Sequence, residues 1–325
     1  MKKILLISTG GTIASKPSAD GLVPKLEADA LLRLVPQIKT VCDAKCIELF
    51  SLDSSNIEPH HWTQIADAVV REYANYDGFV LTHGTDTMAY TCAALTWMLQ
   101  GIQKPLVLTG AQLPIEDPST DGKKNLLNAF CVATSEHSGV FLVFGDSVIN
   151  GDCAKKLYTQ KFEAFASINK PRAAHITHDG IIWAEDFFEK HEKNKLAFTP
   201  KTAVDEKVFV YKLSPGASES FIDFAMQNGY KAIVIEGFGA GGVPNGENCL
   251  LGALKRAIDA GVIVVCATQC IYDGVHLDVY DVGVKAKRLG VLSAGQMTTE
   301  AAVTKLMWAL GNSDNASHAK QMFLK

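Results

Sequence analysis

The sequence predicts two α/β domains: a larger N-terminal parallel-sheet domain and a smaller C-terminal parallel-sheet domain. Three observations predict this. Short runs of Val, Ile and Leu recur without polar alternation, as strands buried on both faces require. Helix-length amphipathic stretches separate those runs, which implies right-handed crossovers between parallel strands. A charged stretch without a clean period interrupts the series and divides it in two.

The elements follow in order. "KILLIS" (Lys3–Ser8) is the first strand, and Ala28 to Leu34 reads as a helix. His60 to Tyr76 forms a longer amphipathic helix, followed by the buried strand "GFVLTH" (Gly78–His83). Ala89 to Gln100 is the next helix, Pro105–Gly110 the third strand, Asn125–Ser135 a helix and Gly139–Gly145 the fourth strand. Residues 186–205, "DFFEKHEKNKLAFTPKTAVD", read as a linker between domains 1–185 and 206–325. The second domain repeats the pattern with "KVFVYKL", "KAIVIEG" and "GVIVVCAT" as strands. Its last helix spans Thr298 to Gly311, with Thr298 able to cap it and Gly311 able to end it.

Composition limits the function classes. The chain has 325 residues, 47% hydrophobic and 20% charged, with a net charge of -4. That is the profile of a soluble globular protein with a large core. No basic stripe argues for nucleic acid or an anionic membrane as partner. The opening Met-Lys-Lys precedes an apolar run too short for a signal peptide. No apolar segment approaches the roughly 20 residues of a membrane helix, so the chain is read as cytoplasmic. The eight cysteines are expected to be free thiols, because the core is ample and no export signal is seen. Their spacing matches no zinc pattern, and no metal or cofactor is expected.

Parallel α/β sheets bind ligands beyond the carboxyl ends of their strands. Thr9-Gly10-Gly11-Thr12 follows the first strand, His83-Gly84-Thr85-Asp86-Thr87 the second, and Thr109-Gly110-Ala111-Gln112 the third. The segments are rich in hydroxyls and glycines and poor in phosphate-binding lysines. Gly10-Gly11 fits neither a P-loop nor G-x-G-x-x-G. Gly237, Gly239 and Gly242 do match G-x-G-x-x-G after a strand, which makes a dinucleotide site a competing reading. However, Val243-Pro244-Asn245-Gly246 reads as a turn, and the pyrophosphate needs a helix N-terminus there.

The other reading is covalent catalysis by threonine. A threonine hydroxyl is a poor nucleophile until a neighbour accepts its proton. Thr85, Asp86 and Lys156 are candidates to relay protons in the same crevice. Glycines beside the nucleophile let backbone N–H groups approach a developing oxyanion. The bland alternative is that Thr12 only caps the next segment and Thr85 only fills a turn.

The pairing of "TGGTIAS" with "HGTDTMAYTCAAL" resembles the bacterial-type L-asparaginase family, most closely its cytoplasmic type I branch. "FSLDSSNIEP", "LTGAQLP", "TDGKKNLLNA" and the late "ATQC" follow in matching order across essentially the whole chain. The resemblance implies hydrolysis of L-asparagine to L-aspartate and ammonia through an acyl-enzyme. It implies Thr12 as nucleophile and Thr85, Asp86 and Lys156 as a second catalytic group, with Lys156 chosen over Lys155. It further implies that Asp53, Ser54 and Ser55 hold the substrate's α-amino and α-carboxylate groups. Ala111 contacts the substrate amide, and backbone N–H groups near Gly11 and Ala111 stabilise the oxyanion. L-Glutamine is an alternative substrate, and a homodimer or homotetramer is implied, with residues near Asn245 completing a neighbour's site.

Two positions depart from the family pattern. Leu22 stands where many members carry a tyrosine near the nucleophile. Glu236 stands where allosterically regulated members have arginine, although Thr268 and Cys270 fit. An amidotransferase subunit acting on charged tRNA shares the core. It ranks below the asparaginase reading, because such a subunit is expected to carry a further N-terminal domain and a basic surface.

Overall fold

β1 (Lys3–Gly10) runs inside the larger sheet because its apolar residues are buried on both sides. Ile4 and Leu6 join one core cluster, while Leu5 and Ile7 are buried as well. In the computed structural model, residues 1–19, 21–184, 197–247 and 249–325 are described. They divide into units Met1–Thr202 and Ala203–Lys325.

In the first unit, β1 pairs in parallel with β4 (Asp43–Leu52) on one side and β5 (Gly78–Thr82) on the other. β6 (Pro105–Thr109) and β7 (Gly139–Phe144) continue the parallel series. β8 (Ser147–Asn150), β11 (Ala174–Thr177) and β12 (Gly180–Trp183) extend it in antiparallel fashion. Two short hairpins stand apart: β2 (Ser15–Ser18) with β3 (Gly21–Pro24), and β9 (Ala154–Lys156) with β10 (Phe165–Ser167). The α/β class and the parallel core follow the sequence pattern. The ten-residue β4 was not foreseen, because its residues are mostly half-buried and charged residues interrupt its apolar run.

The helices take both faces of that sheet. α1 (Ala28–Leu34), α2 (Ile38–Val41) and α5 (Gly122–Ala133) place Leu31, Ile38, Leu126 and Phe130 in the cluster with Ile4 and Leu6. α3 (Pro59–Glu72) packs on α4 (Met88–Met98), and α4 packs on β6 and β7. The chain therefore passes from β1 to β4 on one face and from β4 to β5 on the other. The strand order β4-β1-β5-β6-β7 reverses direction between β1 and β5. Ligands bind at such a switch point, beyond the carboxyl ends of the strands.

Residues 186–196 of the stretch read as a linker lie outside the described residues. After them, Phe198 stacks on Tyr73 at 4.3 Å, and the Lys201 amide donates to the Met98 carbonyl at 2.8 Å. That segment therefore packs on the first unit.

The second unit holds a parallel four-stranded sheet in the order β13-β14-β15-β16. Its strands are Val208–Lys212, Ala232–Gly237, Ile263–Thr268 and Leu292–Ser293. Helices α6 (Ser220–Gln227), α7 (Leu251–Asp259) and α8 (Asp281–Leu289) supply Ile222, Leu254 and Ala286 to its core. α9 (Thr299–Gly311) begins where expected: Thr298 Oγ1 accepts the Ala301 amide at 3.1 Å. Gly311 lies within the last turn rather than past it. A β-carbon there would come within 2.6 Å of the Val204 backbone. Among the described residues, no helix is long and apolar enough to cross a membrane.

Candidate active site

Thr9 and Thr12 have different roles at the end of β1. Thr9 is buried, and its hydroxyl donates to the Thr82 carbonyl at 2.7 Å, stitching β1 to β5. Gly10 and Gly11 then turn the chain with φ of 97° and 78°, a region that favours glycine. Thr12 opens a short 3-10 turn, Thr12–Ala14, and is only partly buried. Among the described residues its hydroxyl has no hydrogen-bond partner.

The loops after β1, β4, β5 and β6 converge because two glycines lack side chains. A β-carbon on Gly11 would lie 2.3 Å from the Gly84 amide nitrogen, and one on Gly84 would lie 2.6 Å from Ser54 Oγ. The His83 amide donates to the Thr109 carbonyl at 2.9 Å, which ties the β5 loop to the β6 loop.

Thr85, Asp86 and Lys156 come together as the sequence suggested. Lys156 Nζ lies 2.7 Å from Thr85 Oγ1 and 2.6 Å from Asp86 Oδ1. β9 explains why Lys156 and not Lys155 reaches this place. Successive side chains on a strand point to opposite faces, and Lys156 pairs with Phe165 of β10. The Lys156 side chain is 16% exposed, against 61% for Asp86, so the ion pair has one sheltered end.

The β4 loop braces Asp86. Ser54 is buried, its Oγ accepts the Asp86 amide at 3.2 Å, and its carbonyl accepts the Thr87 hydroxyl proton at 2.7 Å. The Ser54 hydroxyl proton is still available to donate. Asp53 and Ser55 are exposed, and Asp53 Oδ1 accepts the Ser55 amide at 2.8 Å.

The Gly11 amide is not aimed at a ligand: it donates to the Leu52 carbonyl at 2.9 Å. Among the described residues, the amides of Thr12 and Ala111 have no acceptor. Ala111 is fully buried. Leu22 lies on β3 opposite Pro17 and is exposed, and its hydrocarbon side chain cannot take a proton.

Three groups carried no sequence-based assignment. Asp121 accepts the Gln112 amide at 3.0 Å, the Leu113 amide at 3.2 Å and Asn125 Nδ2 at 3.0 Å. Gln112 Nε2 donates to the Lys161 carbonyl at 3.0 Å, and Thr85 Oγ1 lies 3.4 Å from Gln112 Oε1. Their signal lay in "LTGAQLP" and "TDGKKN", where polar residues flank a strand end and open a helix.

His83 is the third such group. The Gly84 carbonyl only accepts, so His83 Nδ1 carries the proton 2.7 Å from it. Its Nε2 then accepts from Thr91 Oγ1 at 2.9 Å, and Thr91 Oγ1 accepts from Trp62 Nε1 at 3.0 Å. Complete burial pushes the His83 imidazole down to about 4. The ring is therefore neutral around pH 7, as this bonding pattern requires.

The second unit holds the remaining sequence-based candidates. β14 is followed by a turn, and the next helix starts only at Leu251, so Gly237, Gly239 and Gly242 abut no helix N-terminus. Glu236 Oε1 accepts the Thr299 hydroxyl proton at 2.6 Å, with Lys212 Nζ 3.8 Å from its other oxygen. Thr268 Oγ1 accepts the Cys270 amide at 3.0 Å. Asn245 Nδ2 donates to Asp281 at 2.8 Å.

Comparison with known proteins agrees with this architecture. The family described as "Asparaginase, N-terminal" matches residues 3–188, and "Glutaminase/Asparaginase C-terminal domain" matches residues 207–323. A subunit of a glutamyl-tRNA(Gln) amidotransferase from Pyrococcus abyssi is 38% identical, over 100% of this chain and 75% of its own length. An L-asparaginase from Thermococcus kodakarensis is 37% identical, over 98% of this chain and 96% of its own. The solved structure of the thermostable L-asparaginase from Thermococcus kodakarensis superposes with a TM-score of 0.90 at 34% identity. It covers 99% of this chain and 97% of that one. L-asparaginase I from Vibrio cholerae superposes with a TM-score of 0.85 at 30% identity, covering 100% and 97%. Matched in both its units, the chain belongs to the asparaginase family.

Proposed function

We propose that this protein hydrolyses L-asparagine to L-aspartate and ammonia through a threonyl acyl-enzyme. The observation that carries the reading is Lys156 Nζ bridging Thr85 Oγ1 and Asp86 Oδ1 beside the switch point at which Thr12 stands. Thr12 Oγ1 attacks the side-chain amide carbon. The Thr12 and Ala111 amides donate to the oxyanion, a contribution whose loss typically costs about 10²–10³ in rate per donor. The C–N bond breaks as the proton given up by Thr12 passes to the leaving nitrogen, and ammonia departs. A water held by Thr85, with Lys156 and Asp86 behind it, then attacks the ester carbon; the bond to Thr12 Oγ1 breaks and the water's proton passes to that oxygen. Asp53, Ser54, Ser55 and Asp86 receive the α-amino and α-carboxylate groups. Leu22 takes no part in proton transfer. By family resemblance the protein works as a homodimer or homotetramer.

Ammonia release from asparagine by Thr12→Ala and Thr85→Ala tests the roles. Both variants are expected to lose at least about 10²-fold in kcat. An unchanged rate in either contradicts its assignment. L-Glutamine differs by one methylene, worth about 1–3 kcal/mol of discrimination, so the ratio of kcat/KM decides between the amides.

The Pyrococcus relative supports a second reading, ammonia supply within a glutamyl-tRNA(Gln) amidotransferase. Glutamine hydrolysis that rises sharply only with charged tRNA and a partner protein present would favour it. Fast hydrolysis of free asparagine by the isolated protein would favour the first.

A further inference from the structure

Gln112 is anchored on both sides of its side chain. Its backbone amide is held by both oxygens of Asp121, at 3.0 and 3.1 Å, and Asp121 is itself held by Asn125. Its side-chain nitrogen donates to the Lys161 carbonyl at 3.0 Å. That carbonyl lies in the β9–β10 loop, which the Leu157 amide closes by donating to Ala164 at 2.7 Å. A carbonyl oxygen accepts and never donates, so the orientation of the Gln112 amide is determined. Oε1 therefore faces Thr85 Oγ1, at 3.4 Å.

Thr85 has one proton to place. Lys156 Nζ donates to its oxygen at 2.7 Å. The Thr85 proton is consequently not spent on Lys156, and Gln112 Oε1, at 3.4 Å, is its acceptor. A hydroxyl that accepts from an ammonium is a stronger donor in turn. The line Lys156–Thr85–Gln112 thus has a single direction of donation.

We infer that Gln112 is a positioning residue for Thr85: it fixes the hydroxyl's rotamer and the direction of its proton, and Asp121 fixes Gln112. This rests on the catalytic role proposed above for Thr85. Gln112 touches no reacting atom in that scheme and acts only through Thr85.

A double-mutant cycle tests it, using Gln112→Met, which keeps the volume and removes both polar ends, and Gln112→Ala in parallel. Steady-state ammonia release from asparagine is measured for the parent, Thr85→Ala, each Gln112 variant and each double variant, with melting curves for all. The expected result is a kcat about tenfold lower for the Gln112 variants at a KM within twofold of the parent. In the Thr85→Ala background the same change should cost less than twofold, because residues acting as a unit are non-additive. An equal loss in both backgrounds overturns the inference, as does an unchanged kcat in a folded variant. Inactivity of the parent itself on asparagine overturns the functional reading instead, so the two failures are told apart.

Discussion

Gly11 and Gly84 meet backbone to backbone, so closely that a β-carbon on Gly11 would lie 2.3 Å from the Gly84 amide nitrogen at a φ of 78°. This contact brings the loop that bears Thr12 against the loop that bears Thr85. Gly11→Ala forces an L-residue to φ 78° and ψ 177°, a region essentially restricted to glycine, which costs roughly 1–3 kcal/mol before any clash. It also drives the two loops apart. The variant should melt several degrees lower and lose asparagine hydrolysis by about 10²-fold or more. Thermal melting and ammonia assays check this, and a variant matching the parent in both would refute the contact's importance.

Lys156 and Lys155 are neighbours with opposite fates on one strand. Lys156→Met removes the ammonium shared by Thr85 and Asp86, and kcat for asparagine should fall by about 10²–10⁴. Lys155→Met alters the other face of β9 and should stay within threefold of the parent. Reversed outcomes would move the role proposed for Lys156 one residue earlier.

His83 makes stability depend on pH in a defined window. Its folded value of about 4 lies below the ordinary value of 6.5. Between those values the unfolded chain binds a proton that the folded chain refuses. Stability from the neutral ring is therefore complete above about pH 6.5 and is lost as pH falls towards 4. The shift corresponds to an upper bound on the order of 3 kcal/mol. His83→Asn should show a shallower decline in melting temperature than the parent from pH 6.5 to 4. Parallel declines would show that His83 is not the group responsible.

Much of this was legible in the sequence, and the physics explains where legibility stopped. The parallel strands announced themselves as unbroken apolar runs, and the ends of those runs pointed to Thr12, Thr85 and Ala111. Lys156 stood out as a lysine following the fourth strand, but the preference for it over Lys155 came through the family pattern alone, because nothing local distinguishes the two. Strand pairing in β9 makes that distinction. β4 was missed because its burial is partial, so its residues need not be apolar. The antiparallel strands β8, β11 and β12 were missed because each is only four residues long, too short for a period to show. Gln112 and Asp121 carried no assignment, since Asp121 works by holding backbone amides and Gln112 by donating to a carbonyl across a loop. That depends on approach in space. Which amide near Gly11 is open depended on the same cause: that of Gly11 donates to the Leu52 carbonyl, on a strand not foreseen, while that of Thr12 has no acceptor among the described residues.

The cysteines give an independent check on the fold. Cys249 and Cys270 are exposed, while Cys42, Cys92, Cys153 and Cys266 are buried. Burial pushes the Cys266 thiol up to about 12 and those of Cys42 and Cys153 up to about 11. The thiolate is the reactive form. A disulfide-exchange reagent at pH 8 should label two thiols rapidly in the native chain and all eight after unfolding. Rapid labelling of the buried set would contradict the packing of both units.

The placement of β1 has a consequence for how the molecule is born. Of the strands in the larger sheet, the first to leave the ribosome is an interior one with neighbours on both sides. Both its edges stay open until Asp43–Leu52 and Gly78–Thr82 have been made. Thr12 is thus synthesised long before Lys156, which meets Thr85 and Asp86 only once β9 has been made. Deleting the residues of β1 would not trim an edge. It would pull a slat from the middle of the sheet.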